Sequence, residues 1–214
     1  MSHVTGGATR IIQGIQRFQE NVFSAKESLF RRLSEGQSPH ALFITCCDSR
    51  IDPNLLTQTE PGELFIHRNI GNQVPPDACA GGVRATLEYA LKALEIRDVI
   101  VCGHSKCGAM QGLLNPDLLR DMPFVAQWLE HARVILPALE QAAGEWSPEE
   151  RLNWAIERNV VLQLEHLQTY PLVAETLAAG KLRLHGWVYY IESGQVTAYD
   201  AEEKRFLPVV RASK

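Results

Sequence analysis

The chain has 214 residues, 45% of them hydrophobic, and its 21 Lys+Arg against 25 Asp+Glu leave a net charge of −4. That length supplies a core without disulfide staples, and so slight an acidic excess, with no long basic run, argues against an electrostatic nucleic-acid binder. The first residues hold no apolar stretch of signal-peptide kind and no run reaches membrane-spanning length, so a soluble cytoplasmic protein is expected.

Residues 8–34 predict one long amphipathic helix, with Ile11, Ile15, Phe18 and Val22 at helical spacing. Gly36 to Pro39 breaks it, and residues 41–45 follow as a buried strand. Asp52-Pro53 reads as an N-cap followed by proline at the first helical position. A second strand is expected over residues 63–67, a loop over 69–76, a helix over 81–94 and a third strand over 98–102. Residues 123–142 and 148–179 are mostly helical, parted by Gly144 and Pro148. Residues 182–190 and 195–199 predict a late strand pair around Glu192-Ser193-Gly194. Strands alternating with helices imply an α/β fold: a mainly parallel β-sheet flanked by helices, with an N-terminal helical arm and a C-terminal helical region. One domain over 1–214 is expected, with the arm at 1–36, a site-bearing core at 37–120, and helices and late strands at 121–214. Ligands of such sheets gather beyond the carboxyl ends of the strands.

Two cysteine clusters fall there. There are five cysteines, Cys46, Cys47, Cys79, Cys102 and Cys107, an odd number that argues against a secreted disulfide framework. Residues 102–108, CGHSKCG, lack the Lys-Ser/Thr of a phosphate loop, the G-x-G of a dinucleotide fingerprint and the C-x-x-C of a thioredoxin-like pair. A metal suits them better. His104 and Cys107 are spaced i,i+3, which one helical turn brings to the same face. Cys46 and Asp48 are spaced i,i+2, which an extended segment points one way, with Cys47 the other. Cys46, Asp48, His104 and Cys107 make a plausible tetrahedral zinc set, and their mixed S/N/O character suits a catalytic ion with one replaceable position. Cys102 and Cys47 are expected to be small buried hydrophobes; Cys79 has no partner in the sequence.

Cys46-Cys47-Asp48-Ser49-Arg50 and His104-Ser105-Lys106-Cys107 resemble the paired C-x-D-S-R and H-x-x-C motifs of the β-class carbonic anhydrases. Pro61 to Phe65, Arg68-Asn69 and Leu184 to Tyr189 fit as well, so the resemblance spans nearly the whole chain. It implies one zinc ion per subunit, held by Cys46, His104 and Cys107 with water or hydroxide fourth, and an Asp48–Arg50 catalytic dyad, Asp48 being only an alternative fourth ligand. The implied reaction is reversible hydration of carbon dioxide to bicarbonate and a proton. Gln37 matches a bicarbonate-binding glutamine, Phe65 and Tyr89 match residues lining the carbon dioxide pocket across a dimer interface, and Gly108 matches a glycine whose backbone N–H faces substrate. Phe43 stands where some bacterial members carry the tryptophan of an inhibitory bicarbonate pocket, so the open, plant-type site with Asp48 off the metal is expected. Two thiolate ligands cancel the charge of the zinc, which predicts activity rising on the alkaline side of neutral. The resemblance further implies a homodimer or tetramer, without nucleic-acid or membrane partners. Two alternatives stay open: a carbonyl sulfide or carbon disulfide hydrolase on the same scaffold, and a non-catalytic zinc-stabilised binding module.

Overall fold

The structure, a computed structural model, describes residues 7–78, 81–142 and 144–209. Two compact units divide the chain between Ser38 and Pro39.

The first unit is helical. Helix α1 (Gly7–Arg17) passes through one wide π turn, Phe18–Phe23, to α2 (Glu27–Glu35). The expected single helix over 8–34 is therefore interrupted at the π turn and at Lys26, whose extended-side φ of −119° marks the restart. Phe18, Phe23 and Phe30 form an aromatic cluster, with Phe23 stacked on Phe30 at 5.3 Å between ring centres.

The second unit is built on a six-stranded sheet in the order β2-β1-β3-β4-β5-β6. Strand β1 (Ala41–Cys46) is buried along its whole length, as its unbroken apolar run requires of a central parallel strand. Helix α3 (Pro53–Thr57) follows, capped by the Asp52 carboxylate, which accepts from the Leu55 amide at 3.1 Å. Then come β2 (Leu64–Asn69), a 3-10 turn (Ile70–Asn72), α4 (Gly82–Lys92) and β3 (Asp98–His104). Helix α5 (Gly108–Leu114) and a 3-10 turn (Pro116–Leu119) lead into α6 (Pro123–Leu129), a second 3-10 stretch (Glu130–Ile135) and α7 (Leu136–Ala142). The long α8 (Pro148–Leu167) opens on a capping box between Ser147 and Glu150, and α9 (Pro171–Ala178) follows. Strands β4 (Arg183–Tyr190), β5 (Gln195–Asp200) and β6 (Arg205–Pro208) close the sheet.

Strands β2, β1, β3 and β4 run parallel; β5 runs antiparallel to β4, and β6 antiparallel to β5. The expected α/β class and late hairpin are present, and β6 is an addition. From β1 the chain steps to one side to make β2, then crosses to the other side to make β3. The carboxyl ends of β1 and β3 thus flank the point where the winding reverses, the usual seat of a ligand in such sheets. Helix α8 packs on β3 and β4. It comes close because Gly103 and Gly186 face it: a Cβ on either would lie 2.9 Å from a methyl of Val160.

Candidate metal centre

Cys46 ends β1 and His104 ends β3, so two neighbouring strands deliver a sulfur and an imidazole to one place. Cys107 joins them three residues on, at the start of α5. A tight turn, not the helical one expected from the spacing, brings it there. Lys106 adopts a left-handed φ of 56°, which folds the chain back so that Cys107 faces His104 before α5 begins. The three ligand atoms lie within 4.8 Å of one another, and all three residues are buried.

Their hydrogen bonding suits a cation. His104 Nδ1 lies 2.9 Å from the Ser105 carbonyl. That oxygen only accepts, so Nδ1 carries the hydrogen and Nε2 presents its lone pair. Nε2 is fully buried with no hydrogen-bond partner, a costly state for a polar atom unless something electron-poor belongs beside it. Cys107 donates to Cys46, and the amides of Asp48 and Gly71 add further hydrogen bonds. Together they outweigh burial and lower the Cys46 thiol well below its ordinary range. The same sharing with Cys46, reinforced by burial, pushes the Cys107 thiol well up. Two buried sulfurs, one of them made more acidic by its neighbours, and an unpartnered imidazole lone pair fit zinc.

Asp48 stands beside this cluster, its Oδ2 3.8 Å from His104 Nε2. Both its oxygens are engaged by Arg50: Nε to Oδ1 at 2.9 Å and Nη2 to Oδ2 at 2.7 Å, with the Arg50 amide on Oδ1 at 3.0 Å. These bonds hold the Asp48 carboxyl well below the usual carboxylate range. Arg50 Nη2 also donates to the Lys106 carbonyl at 3.1 Å, tying the loop after β1 to the loop after β3.

The other sequence candidates are spread more widely. Gln37 is exposed, in the segment after α2 of the first unit. Phe65 and Tyr89 pack together with ring centres 5.8 Å apart. Phe65 lies four residues back from Asn69, the residue level with Cys46, which is about 13 Å along the strand. The pair therefore stands apart from the cluster of its own chain, and Tyr89 is 51% exposed. Gly108 is exposed at the first position of α5, with open space where a side chain would project. Phe43 is fully buried, edge-on to Trp187. Cys102 is buried as expected, its thiol pushed up to about 12 by desolvation. Cys47 is a correction: it is exposed, because it lies one residue beyond the buried run of β1. Cys79 lies outside the described residues.

Several contributors carry no motif. Arg68 donates to the carbonyls of Cys46, Asp48 and Ile51 at 3.0, 2.7 and 3.0 Å, clamping the loop that bears Asp48 and Arg50. Gly71 donates its amide to Cys46 Sγ at 3.4 Å. Buried Gln73, Asn159 and Gln163 bond one another and hold residues 71–74 against α8. Asn159 and Gln163 sit i,i+4 among Val160, Val161 and Leu162, and polar residues on an apolar helix face were the one available signal.

The fold matches solved relatives. The β-carbonic anhydrase CcaA superposes with a TM-score of 0.92 at 46% identity, covering 95% of this chain and 92% of that one. The family profile described as carbonic anhydrase matches residues 41–196. The chain belongs to the β-class carbonic anhydrases. Among carbonic anhydrases of known sequence, one from Synechocystis sp. is 49% identical over 197 residues, 89% of this chain and 70% of that one. One from Pseudomonas aeruginosa is 47% identical over 208 residues, 94% of each. Tetrameric β-carbonic anhydrases from Sordaria macrospora superpose with a TM-score of 0.74 at 28% identity, covering 89% and 92%. Among the described residues, no helix is long and apolar enough to cross a membrane.

Proposed function

We propose that this carbonic anhydrase hydrates carbon dioxide reversibly to bicarbonate and a proton at one zinc ion per chain, held by Cys46 Sγ, His104 Nε2 and Cys107 Sγ. The observation that carries the reading is the buried, unpartnered His104 Nε2 close to two sulfurs, with a restrained carboxylate alongside. When bound, zinc supplies Lewis acidity that makes water a usable nucleophile near neutral pH.

The protein's own groups then supply orientation. Arg50 occupies both Asp48 oxygens, which keeps Asp48 from serving as a fourth ligand and favours the open form of the site. Asp48 Oδ2 keeps lone-pair capacity on the side facing His104 and accepts a hydrogen from solvent at the open corner, aiming the oxygen at carbon dioxide. Gln37 and the Gly108 amide are proposed to bind bicarbonate. Phe65 and Tyr89 are proposed to line the carbon dioxide pocket of a partner subunit, in a homodimer or tetramer; their distance from the Cys46 cluster of the same chain supports that arrangement. The cytoplasm, where thiols stay reduced, suits a centre that uses Cys46 and Cys107.

Zinc analysis of the purified protein with stopped-flow carbon dioxide hydration, before and after a chelator, tests this reading. Chelator-sensitive hydration at about one zinc per chain is expected. Turnover of carbonyl sulfide or carbon disulfide but not carbon dioxide would replace the substrate, and bound zinc without either activity would leave a structural centre.

A further inference from the structure

Trp128, on α6, touches none of the three candidate ligands, yet it is connected to one of them through a single peptide group. Its indole Nε1–H donates to the Ile70 carbonyl at 2.8 Å. The other end of that peptide is the Gly71 N–H, which donates to Cys46 Sγ. A carbonyl that accepts a hydrogen bond polarises its peptide and strengthens the N–H opposite as a donor. The unit is held from its far side too: the Gly71 carbonyl accepts from Gln73 Nε2 at 2.9 Å and Asn159 Nδ2 at 3.1 Å. Gly71 has a φ of 71°, and a Cβ there would lie 3.0 Å from the Ala109 Cβ, so the backbone approaches the sulfur where no other residue fits comfortably. The indole is itself fixed, half-buried against the core and edge-on to the His131 ring at 5.6 Å.

We propose that Trp128 is a positioning residue for the metal centre: its N–H, relayed through the Ile70–Gly71 peptide, directs a hydrogen bond onto the Cys46 sulfur and sets how much electron density that sulfur gives the metal. The inference rests on the reading of Cys46 as a metal ligand. A thiolate that accepts an N–H donor is a poorer electron donor, so losing the relay makes Cys46 a stronger one.

The test uses the full-length protein loaded with cobalt(II), whose thiolate-to-metal charge-transfer absorption in the near ultraviolet reports sulfur donation directly. In Trp128→Phe that band is expected to move to longer wavelength, while Trp146→Phe leaves it in place. Benzothienylalanine introduced at position 128 keeps the indole shape, replaces the N–H by sulfur, and should give the same movement. It also decides the matter alone if Trp128→Phe fails to fold. An unmoved band in both variants overturns the proposal. Movement in Trp128→Phe but not in the sulfur isostere also overturns it, since packing would then be the cause. If the unaltered protein binds cobalt without any thiolate band, the metal-centre reading itself fails, and this inference with it.

Discussion

Arg50 does two jobs with one guanidinium: it engages both oxygens of the Asp48 carboxylate and reaches the Lys106 carbonyl on the next loop. It contributes no atom to the Cys46–His104–Cys107 cluster. Arg50→Ala should therefore lower carbon dioxide turnover by about a hundredfold, the scale at which misplacing a group near the reacting atoms is felt. Zinc content by atomic absorption should stay near that of the unaltered protein, and parallel loss of zinc would refute that division of roles. The Cys46–His104–Cys107 cluster and the Asp48–Arg50 pair were readable from sequence, because residue identity over a few positions marks them. Cys47 was misread because burial beyond a strand end depends on what covers it, which local pattern does not encode. Arg68, Gly71, Trp128 and Asn159 were silent for a related reason. Each acts on a partner brought to it from 17 to 88 positions away, and only the fold defines that pairing.

At the scale of elements, the face of β3 and β4 under α8 is paved with glycine. A Cβ at Gly186 would meet Val160 Cγ1 at 2.9 Å and Leu164 Cδ1 at 3.0 Å. Gly186→Ala should cost about 1–3 kcal/mol in urea unfolding, as overpacking does. Adding Val160→Ala should recover part of that loss, because the two sites share one contact. At the opposite end of the same strands, Asp98 accepts from Arg183 at 2.8 and 2.6 Å and pairs with His185 at 2.8 Å. These partners, Arg183 foremost, lower the Asp98 carboxyl from its ordinary 3.8 to about 2. A depressed folded-state value means that the pairing contributes fully above the ordinary value and fades as pH falls through the lower one. The stability gap between the unaltered protein and Asp98→Asn should stand at about pH 5 and close toward pH 2; a gap that widens on acidification would contradict this. The parallel strands were legible as apolar runs. Strand β6 was not: it has four residues, ends on Pro208 and lies at the sheet edge, where proline is tolerated and the periodic signal is short.

At the scale of the whole molecule, the first unit presents Ile11, Ile12 and Ile15 at 66%, 56% and 52% exposure. An amphipathic helix with its apolar stripe in water is unstable without a partner, which accords with the proposed homo-oligomer. Replacing Ile11 and Ile15 together by Glu should shift sedimentation toward the mass of a single chain, with activity falling if Phe65 and Tyr89 serve a neighbour's pocket. Unchanged mass would remove α1 from the interface. The second unit carries a different kind of closure. Its winding reverses between β1 and β3, and the sulfur and imidazole terminating those strands converge across the reversal. An ion bound there acts as a rivet through the seam between the two halves of the sheet, present only when the seam is shut. Saturating zinc should raise the melting temperature and a chelator should lower it again, so the same atom that prepares the chemistry would also report, through heat resistance, whether the two halves have met.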